Sequence, residues 1–347
     1  MIDEYLPSRV NSGPWVTAYT LDELRRVTDD VKFVLPICSL ATPYAECERL
    51  GEFVLPPLYH EALDDQLKRA IVKRIAECFP TYGQDNSDRL RVVELPRLEL
   101  PKPTPGRILA FSVDTAVEEH GPHLPLATDT IQSYGVLRQL AAEFAEIEMC
   151  RPVEYGQLTW GLPFGFSIDL TAELLTQYVT RYMDALTVWR MPRAIYVVDV
   201  HGSIIHRSAI VDGIGASQCP LWTFRWLYEP LTEFASERGD QHAGGVETAI
   251  VERIDAELVD SRWWPHRIEE IASGQMSFEG AVELTPDLPA FIQKVKEESF
   301  NGVIGNIRNY SSLDANVLFS RMMDVARNDI ELLLAGKTST TAGENLW

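Results

Sequence analysis

Apolar positions along this chain recur at two spacings, and the switches between them outline its elements. From Asp129 to Ile147, the residues Ile131, Val136, Leu137, Leu140 and Phe144 follow a helical period. Thr171–Trp189 repeats that pattern through Leu174, Leu175, Tyr178, Tyr182 and Leu186, and Ala243–Leu258 and Leu313–Leu334 add two further helices. Pro265 breaks the chain between those last two. Between the helices, Ala194–Val200 is nearly all apolar and largely β-branched, the signature of a strand buried on both faces, and Arg107–Val113 reads as another strand. Strands alternating with helices of this length predict an α/β fold, a three-layer α/β/α sandwich with a mostly parallel central sheet.

The first hundred residues read differently. Residues 1–14 lack periodicity and suggest an arm. Thr20-Leu21-Asp22-Glu23 has the capping-box pattern and should open a short helix to about Asp29. Val31–Leu35 reads as a strand closed by Pro36, and Ala62–Phe79 as a helix ended by Pro80. Residues 81–106, with Gly83, Asn86 and four prolines from Pro96 to Pro105, form a connector carrying one strand at Arg91–Leu95. The expected division is an N-terminal extension over 1–104, serving as a lid or subunit contact, and a main domain over 105–347.

Composition narrows the function classes. The chain has 347 residues and a formal net charge of −20, with no basic run, which argues against nucleic acid and against an anionic membrane surface. No apolar stretch approaches the ~18–20 residues that span a bilayer, and the amino terminus lacks a signal-peptide pattern. Five scattered cysteines, none spaced as CxxC, suit a reduced cytoplasmic protein.

The chemistry concentrates in Glu118-Glu119-His120-Gly121-Pro122-His123-Leu124-Pro125-Leu126-Ala127-Thr128-Asp129, between a predicted strand and a predicted helix. Carboxylates mixed with imidazoles suit Zn²⁺, Mn²⁺ or Fe²⁺. Gly121, Pro122 and Pro125 exclude regular helix, so the ligands would sit on a stiffened loop. Asp129 could equally cap the helix that follows it. His201 ends the buried strand 194–200, the edge at which open α/β sheets place their sites.

This stretch resembles the E-Q-H-G-x-H-L-P-x-x-T-D signature of the creatininase family of metal-dependent hydrolases. Asp199-Val200-His201-Gly202-Ser203, His242-Ala243-Gly244-Gly245-Val246-Glu247-Thr248 and the closing Gly302-Val303-Ile304-Gly305-Asn306 match in the same order, so that the resemblance covers roughly residues 105–335. Residues 15–36 resemble the family's usual opening, although no metal motif follows Leu35-Pro36. The resemblance implies that Glu118, His120, Asp129 and His201 hold metal, one or two ions, with Asp129 bridging where two are bound. It implies that His242 shuttles a proton and that Glu247 is a ligand or steers the attacking water; a plain helix-start acid is the other reading of Glu247. His123 reads as an outer partner of Glu118 or Glu119, or as a structural histidine. Glu119, where relatives have Gln, is expected to face away. Trp160, Trp222 and Ser203 are the pocket candidates. A closed homo-oligomer, often a hexamer, is the assembly the resemblance implies.

One departure matters. Creatininases proper carry a ligand Glu two residues after the His201 position and many relatives have H-G-G-N, whereas this chain has His201-Gly202-Ser203-Ile204. That disfavours creatinine as substrate. The expected reaction is opening of a small polar cyclic substrate by a metal-bound hydroxide, at an amide or formamide C–N bond. The alternatives are C–C ring opening of an oxidised cyclic polyol, a phosphoesterase for which Arg190, Arg193 and Arg207 are the only nearby cations, and a decayed structural member.

Overall fold

The computed structural model describes residues 14–25, 32–51, 53–78, 89–158, 160–232, 234, 240–261 and 265–339. Residues 1–13 of the expected arm, the helix end near Asp29 and residues 81–88 of the expected connector lie outside them. The strands are β1 Phe33–Cys38, β2 Phe53–Val54, β3 Leu58–Tyr59, β4 Leu90–Glu94, β5 Ile108–Ser112, β6 Ile147–Met149, β7 Ala194–Asp199 and β8 Trp222–Trp226. The α-helices are α1 Leu21–Arg25, α2 Tyr44–Glu48, α3 Asp65–Cys78, α4 Thr128–Glu143, α5 Ala172–Arg190, α6 Ile204–Gly215, α7 Gly245–Ile254, α8 His266–Ser273, α9 Phe278–Leu284, α10 Leu288–Glu298 and α11 Ala315–Leu334.

Two four-stranded parallel sheets result. The larger runs β6-β5-β7-β8. The pleat sends successive side chains to opposite faces, and both faces are covered. Leu109, Phe111, Ile195 and Val197 join a core with Tyr178, Tyr182 and Ile210 of α5 and α6. Ile108, Ala110, Tyr196 and Val198 join one with Leu137 of α4, Ile250 of α7 and Met322 of α11. This is the predicted α/β arrangement. The order matters for the site: the chain leaves β5 towards β6 on one side and returns to place β7 on the other. Loops after β5 and β7 therefore diverge and leave a crevice between them at the carboxyl edge.

The second sheet is built by the N-terminal third, with β2 and β3 on one side of β1 and β4 on the other. Pro36 sits inside β1 and does not end it. The Val34 carbonyl accepts from Leu55 N–H, so by two-residue alternation the missing N–H of Pro36 faces the same side, in the break between β2 and β3. No ladder bond is lost there. Apolar residues of β1 and α3 belong to the same contiguous core as Leu109 and Phe111 of β5. The N-terminal third thus supplies a sheet and a helix packed onto one face of the main sheet, with β2 and β3 added to the two strands expected there. Residues 101–106, around the expected division, are exposed chain without helix or strand.

The capping box forms as predicted: Thr20 N–H donates to Glu23 Oε2 at 2.9 Å, and Glu23 N–H to Thr20 Oγ1 at 3.3 Å. The same segment straps the motif loop, with Leu126 N–H on the Tyr19 carbonyl and Ala127 N–H on the Thr17 carbonyl. Among the described residues no helix is long and apolar enough to cross a membrane, and all five cysteines are free.

Candidate metal centre

Glu118, His120 and Asp129, from the loop after β5 and the first turn of α4, meet His201 from the end of β7 in the crevice between those strands. His242 and Glu247, from the start of α7, close the group from above, with ligand-type atoms of His120, His242 and Glu247 within 4.8 Å of one another. Asp129 offers one oxygen to each side: Oδ1 lies 3.3 Å from His120 Nε2 and Oδ2 lies 3.4 Å from His201 Nδ1. Glu118 Oε2 is 2.9 Å from His201 Nδ1, and Glu118 Oε1 is 3.7 Å from His242 Nδ1. Glu247 Oε2 is 3.9 Å from His120 Nε2 and accepts from Ala243 N–H.

The back nitrogens of the three imidazoles fix their protons. His120 Nδ1 faces the Glu118 carbonyl at 3.1 Å, His201 Nε2 the Gln157 carbonyl at 3.1 Å and His242 Nε2 the Glu119 carbonyl at 2.7 Å. A carbonyl only accepts, so each of these nitrogens carries hydrogen, and the other nitrogen points its lone pair at carboxylate oxygens. Lone pairs facing lone pairs repel. His120 Nε2 and Glu118 Oε1 are buried without a hydrogen-bond partner among the described residues. A positive charge between them relieves that repulsion, either a proton on an imidazole or a cation.

The electrostatics of the group carry the same tension. Burial alone would lower the His120 imidazole, yet Asp129, Glu247 and Glu118 raise it to about 10. Burial likewise opposes protonation of His201, and Glu118 and Asp129 raise it well above the usual value. Burial raises Glu247, while His120 and His242 pull it the other way. Three carboxylates and three imidazoles in one buried group are the donor set borderline divalent ions take. The residues present therefore fit a metal.

His123 takes the structural one of its two expected roles, and Glu119 departs from its expected orientation. His123 touches neither Glu118 nor Glu119 through a hydrogen bond; its Nε2 lies 2.8 Å from Thr248 Oγ1. The Thr248 proton is used on the Gly244 carbonyl, so His123 donates, tying the loop to α7. Burial pushes this imidazole down to about 3. Glu119 does not face away from the centre. It is fully buried, and its Oε1 lies 3.3 Å from His242 Nε2 while Oε2 accepts from Gly121 N–H. Gly302, at φ +98°, leaves the space that carboxylate fills, since a Cβ there would come within 1.8 Å of Glu119 Oε2. The following Ile304 exchanges two backbone hydrogen bonds with His242. The closing glycine motif thus fits Glu119 and His242 into position. The position of Glu in place of Gln beside the motif was the only sequence signal for this.

The centre floors a cavity of about 660 Å³. Trp160 and Ser203 line it as predicted, whereas Trp222 does not: it packs against the core at the far end of β8, and Trp226 at the near end lines the cavity instead. Ser203 Oγ donates to Gln157 Oε1 at 3.0 Å, and Gln157 in turn holds His201, so the loop has a polar anchor in place of the missing Asn.

The creatininase family model, described as creatinine amidohydrolase, matches residues 110–328. The chain belongs to the creatininase family. A mycofactocin precursor peptide peptidase of Mycobacterium tuberculosis (strain CDC 1551 / Oshkosh) is 27% identical over 175 residues, 48% of this chain and 65% of that protein. The chain thus spans just under two thirds of that relative's length. The same-named protein of Mycobacterium ulcerans (strain Agy99) is 25% identical over 237 residues, 65% of this chain and 84% of that one. A crystal structure of a putative creatinine amidohydrolase from Bacteroides fragilis superposes with a TM-score of 0.47 at 16% identity, covering 65% of this chain and 90% of that chain. All four motif segments of this chain lie within the matched region.

Proposed function

We propose that this creatininase-family chain is a divalent-metal-dependent hydrolase that cleaves a C–N bond at a planar carbonyl. The observation that carries the reading is the ring of imidazole lone pairs and carboxylate oxygens facing one another at the floor of a cavity. Glu118, His120, Asp129 and His201 would hold the ion or ions, Zn, Mn or Fe, with Glu247 at the position left open by Ser203. Such a cation supplies Lewis acidity towards a carbonyl and lowers the pKa of water from 15.7 towards ~7.

The chain's own groups do the rest. Asp129 has an oxygen for each of two positions. His242, pinned through Nε2 to the Glu119 carbonyl, keeps Nδ1 directed at Glu118 beside the cavity, where it can take a proton and return it to a leaving amine. Burial keeps Glu247 a better proton acceptor than an exposed carboxylate. The cavity is larger than a single small ring needs, which leaves room for groups flanking the amide. The relatives' name supports the bond type, because a peptide bond is a C–N bond at a planar carbonyl.

The test is metal content of the purified protein and of His201→Ala, followed by a screen of formamides, cyclic amides, short peptides and cyclic diketones. One or two equivalents of metal in the wild type, largely lost in the variant, with turnover of an amide, is expected. Turnover of a diketone alone would overturn the bond assignment. No bound metal, with no activity on metal addition, would remove the mechanism.

A further inference from the structure

Arg207 lies in the first turn of α6 and lines the same cavity as Glu118 and Asp129. It is 7% exposed, its guanidinium carbon lies 4.0 Å over the Trp226 ring, and its Nε is buried without a hydrogen-bond partner. No carboxylate lies within 4.0 Å of it among the described residues. The two acids that act on it electrostatically, Asp199 and Glu229, make no ion pair with it: Asp199 Oδ2 accepts from Gly202 N–H, its Oδ1 lies 3.5 Å from a His206 Nε2 already bonded to the Val113 carbonyl, and Glu229 pairs with Arg225. Arg225 shows how this chain treats a buried guanidinium when its role is structural, with Asp329 taking Nε at 2.7 Å and Nη2 at 2.8 Å. A buried cation lacking such a partner costs stability, and its free edge opens on the cavity that holds the candidate metal centre.

We infer that Arg207 binds a carboxylate carried by the substrate, so that the amides cleaved here are N-acyl amino acids or peptides presenting a free carboxylate near the scissile bond. The inference rests on the hydrolase reading for its substrate class. The planar fork of a guanidinium matches a carboxylate through two parallel hydrogen bonds. The carboxylates among the described residues lining this cavity, Glu118, Asp129, Asp240 and Glu247, repel a phosphate dianion more strongly than a carboxylate. Trp160, Trp226 and Phe278 supply flat walls for the part of the substrate between carboxylate and amide. On a chain of net charge −20, a lone cation at this depth decides which substrates enter.

The experiment compares N-acetylglycine with its neutral isostere N-acetylglycinamide, titrated by calorimetry into metal-loaded and chelator-treated protein. Wild type, Arg207→Met and Arg207→Lys are used, with melting temperatures for each. Wild type should prefer the carboxylate at least tenfold in both metal states. Arg207→Met should lose that preference while melting at the same or a higher temperature, and Arg207→Lys should keep part of it. No preference in wild type overturns the inference. So does a preference that survives in Arg207→Met, which places the carboxylate on the metal or elsewhere. A lower melting temperature of Arg207→Met with an unchanged preference also overturns it, leaving a packing role on Trp226. Binding preference without hydrolysis of any amide keeps the Arg207 inference and removes the hydrolase reading. Equal kcat/KM for charged and neutral amides in wild type and Arg207→Met does the reverse.

Discussion

The two sheets end in very different chemistry. Both are parallel, both have four strands, and one face of the larger shares a core with the smaller. At the carboxyl end of β1, the acid Glu61 is spent on its own chain: Oε1 accepts from Ser39 Oγ at 2.6 Å and Oε2 from Leu40 N–H at 3.0 Å. The buried His60 faces the Leu95 carbonyl. At the carboxyl ends of β5 and β7, acids and imidazoles face one another with atoms left over. A buried polar group satisfied by backbone stabilises a loop; one left facing its own kind asks for something from outside. Composition does not separate the two ends, since each carries Glu and His. Where the donors point does.

The largest effect should come from removing charge at the open end. Glu118→Gln should lower both metal content and hydrolysis by more than about 100-fold, beyond the 10–100-fold typical of residues that merely orient ligands. Excess metal should raise the melting temperature of wild type and not of the variant. Retained metal and activity would show that the imidazoles and Asp129 suffice and that the contrast between the two sheet ends is one of packing alone.

Acid and base should next separate two histidines of the motif loop itself. Folded His123 must stay neutral down to about 3, whereas the unfolded chain takes up a proton near 6.5. The unfolded state therefore binds more protons in that window, and stability falls as pH drops from about 6.5 to about 3, on the order of several kcal/mol. His120 has the opposite sign in metal-free protein: its folded pKa is raised to about 10, so its contribution is complete below about 6.5 and lost as pH rises towards 10. Denaturant titrations in chelator should show a maximum between these limbs. His123→Asn should flatten the acid limb and leave the alkaline one, and an unaltered acid limb would assign it to other groups.

Glu61→Ala is the counterpart at the closed end. It removes the acceptor of Leu40 N–H and leaves Ser39 Oγ only the Leu98 carbonyl at 3.5 Å, and should cost about 1–3 kcal/mol in denaturant unfolding while leaving metal content unchanged. Loss of metal in that variant would tie the N-terminal sheet to the centre more closely than a shared core requires.

What the sequence showed of all this follows from what periodicity and spacing encode. The long amphipathic runs of α4, α5 and α11 and the doubly buried β7 were readable because each repeats its signal over many residues. β6 was not, because it has only three residues, Ile147-Glu148-Met149, and the first continues the helical period of α4. β8 carries Trp222 at its amino end and Trp226 at its carboxyl end, so the edge rule selects Trp226 only once the strand is placed. The motif residues converged as expected because their order and spacing carry the resemblance. The surroundings of Glu119, the bond that makes His123 a structural histidine and the stacking of Arg207 depend on which partner lies across space, Gly302, Thr248 or Trp226, and no local pattern records that.

The smallest effect tests the link between the two regions. Thr20 closes the capping box of α1, and the residues just before it hold Leu126 and Ala127, two positions short of Asp129. Thr20→Ala removes one side-chain acceptor and should cost about 1 kcal/mol. If the strap only joins two finished structures, that cost appears in unfolding and metal affinity stays within twofold. If it sets the approach of the motif loop, metal affinity falls as well, because Asp129 presents an oxygen to both His120 and His201 and a shift of its helix moves both contacts together. Isothermal titration of metal into the variant distinguishes the two. Weakened binding at unchanged fold would make the N-terminal segment part of the site's framework, and unchanged binding would confine it to stability.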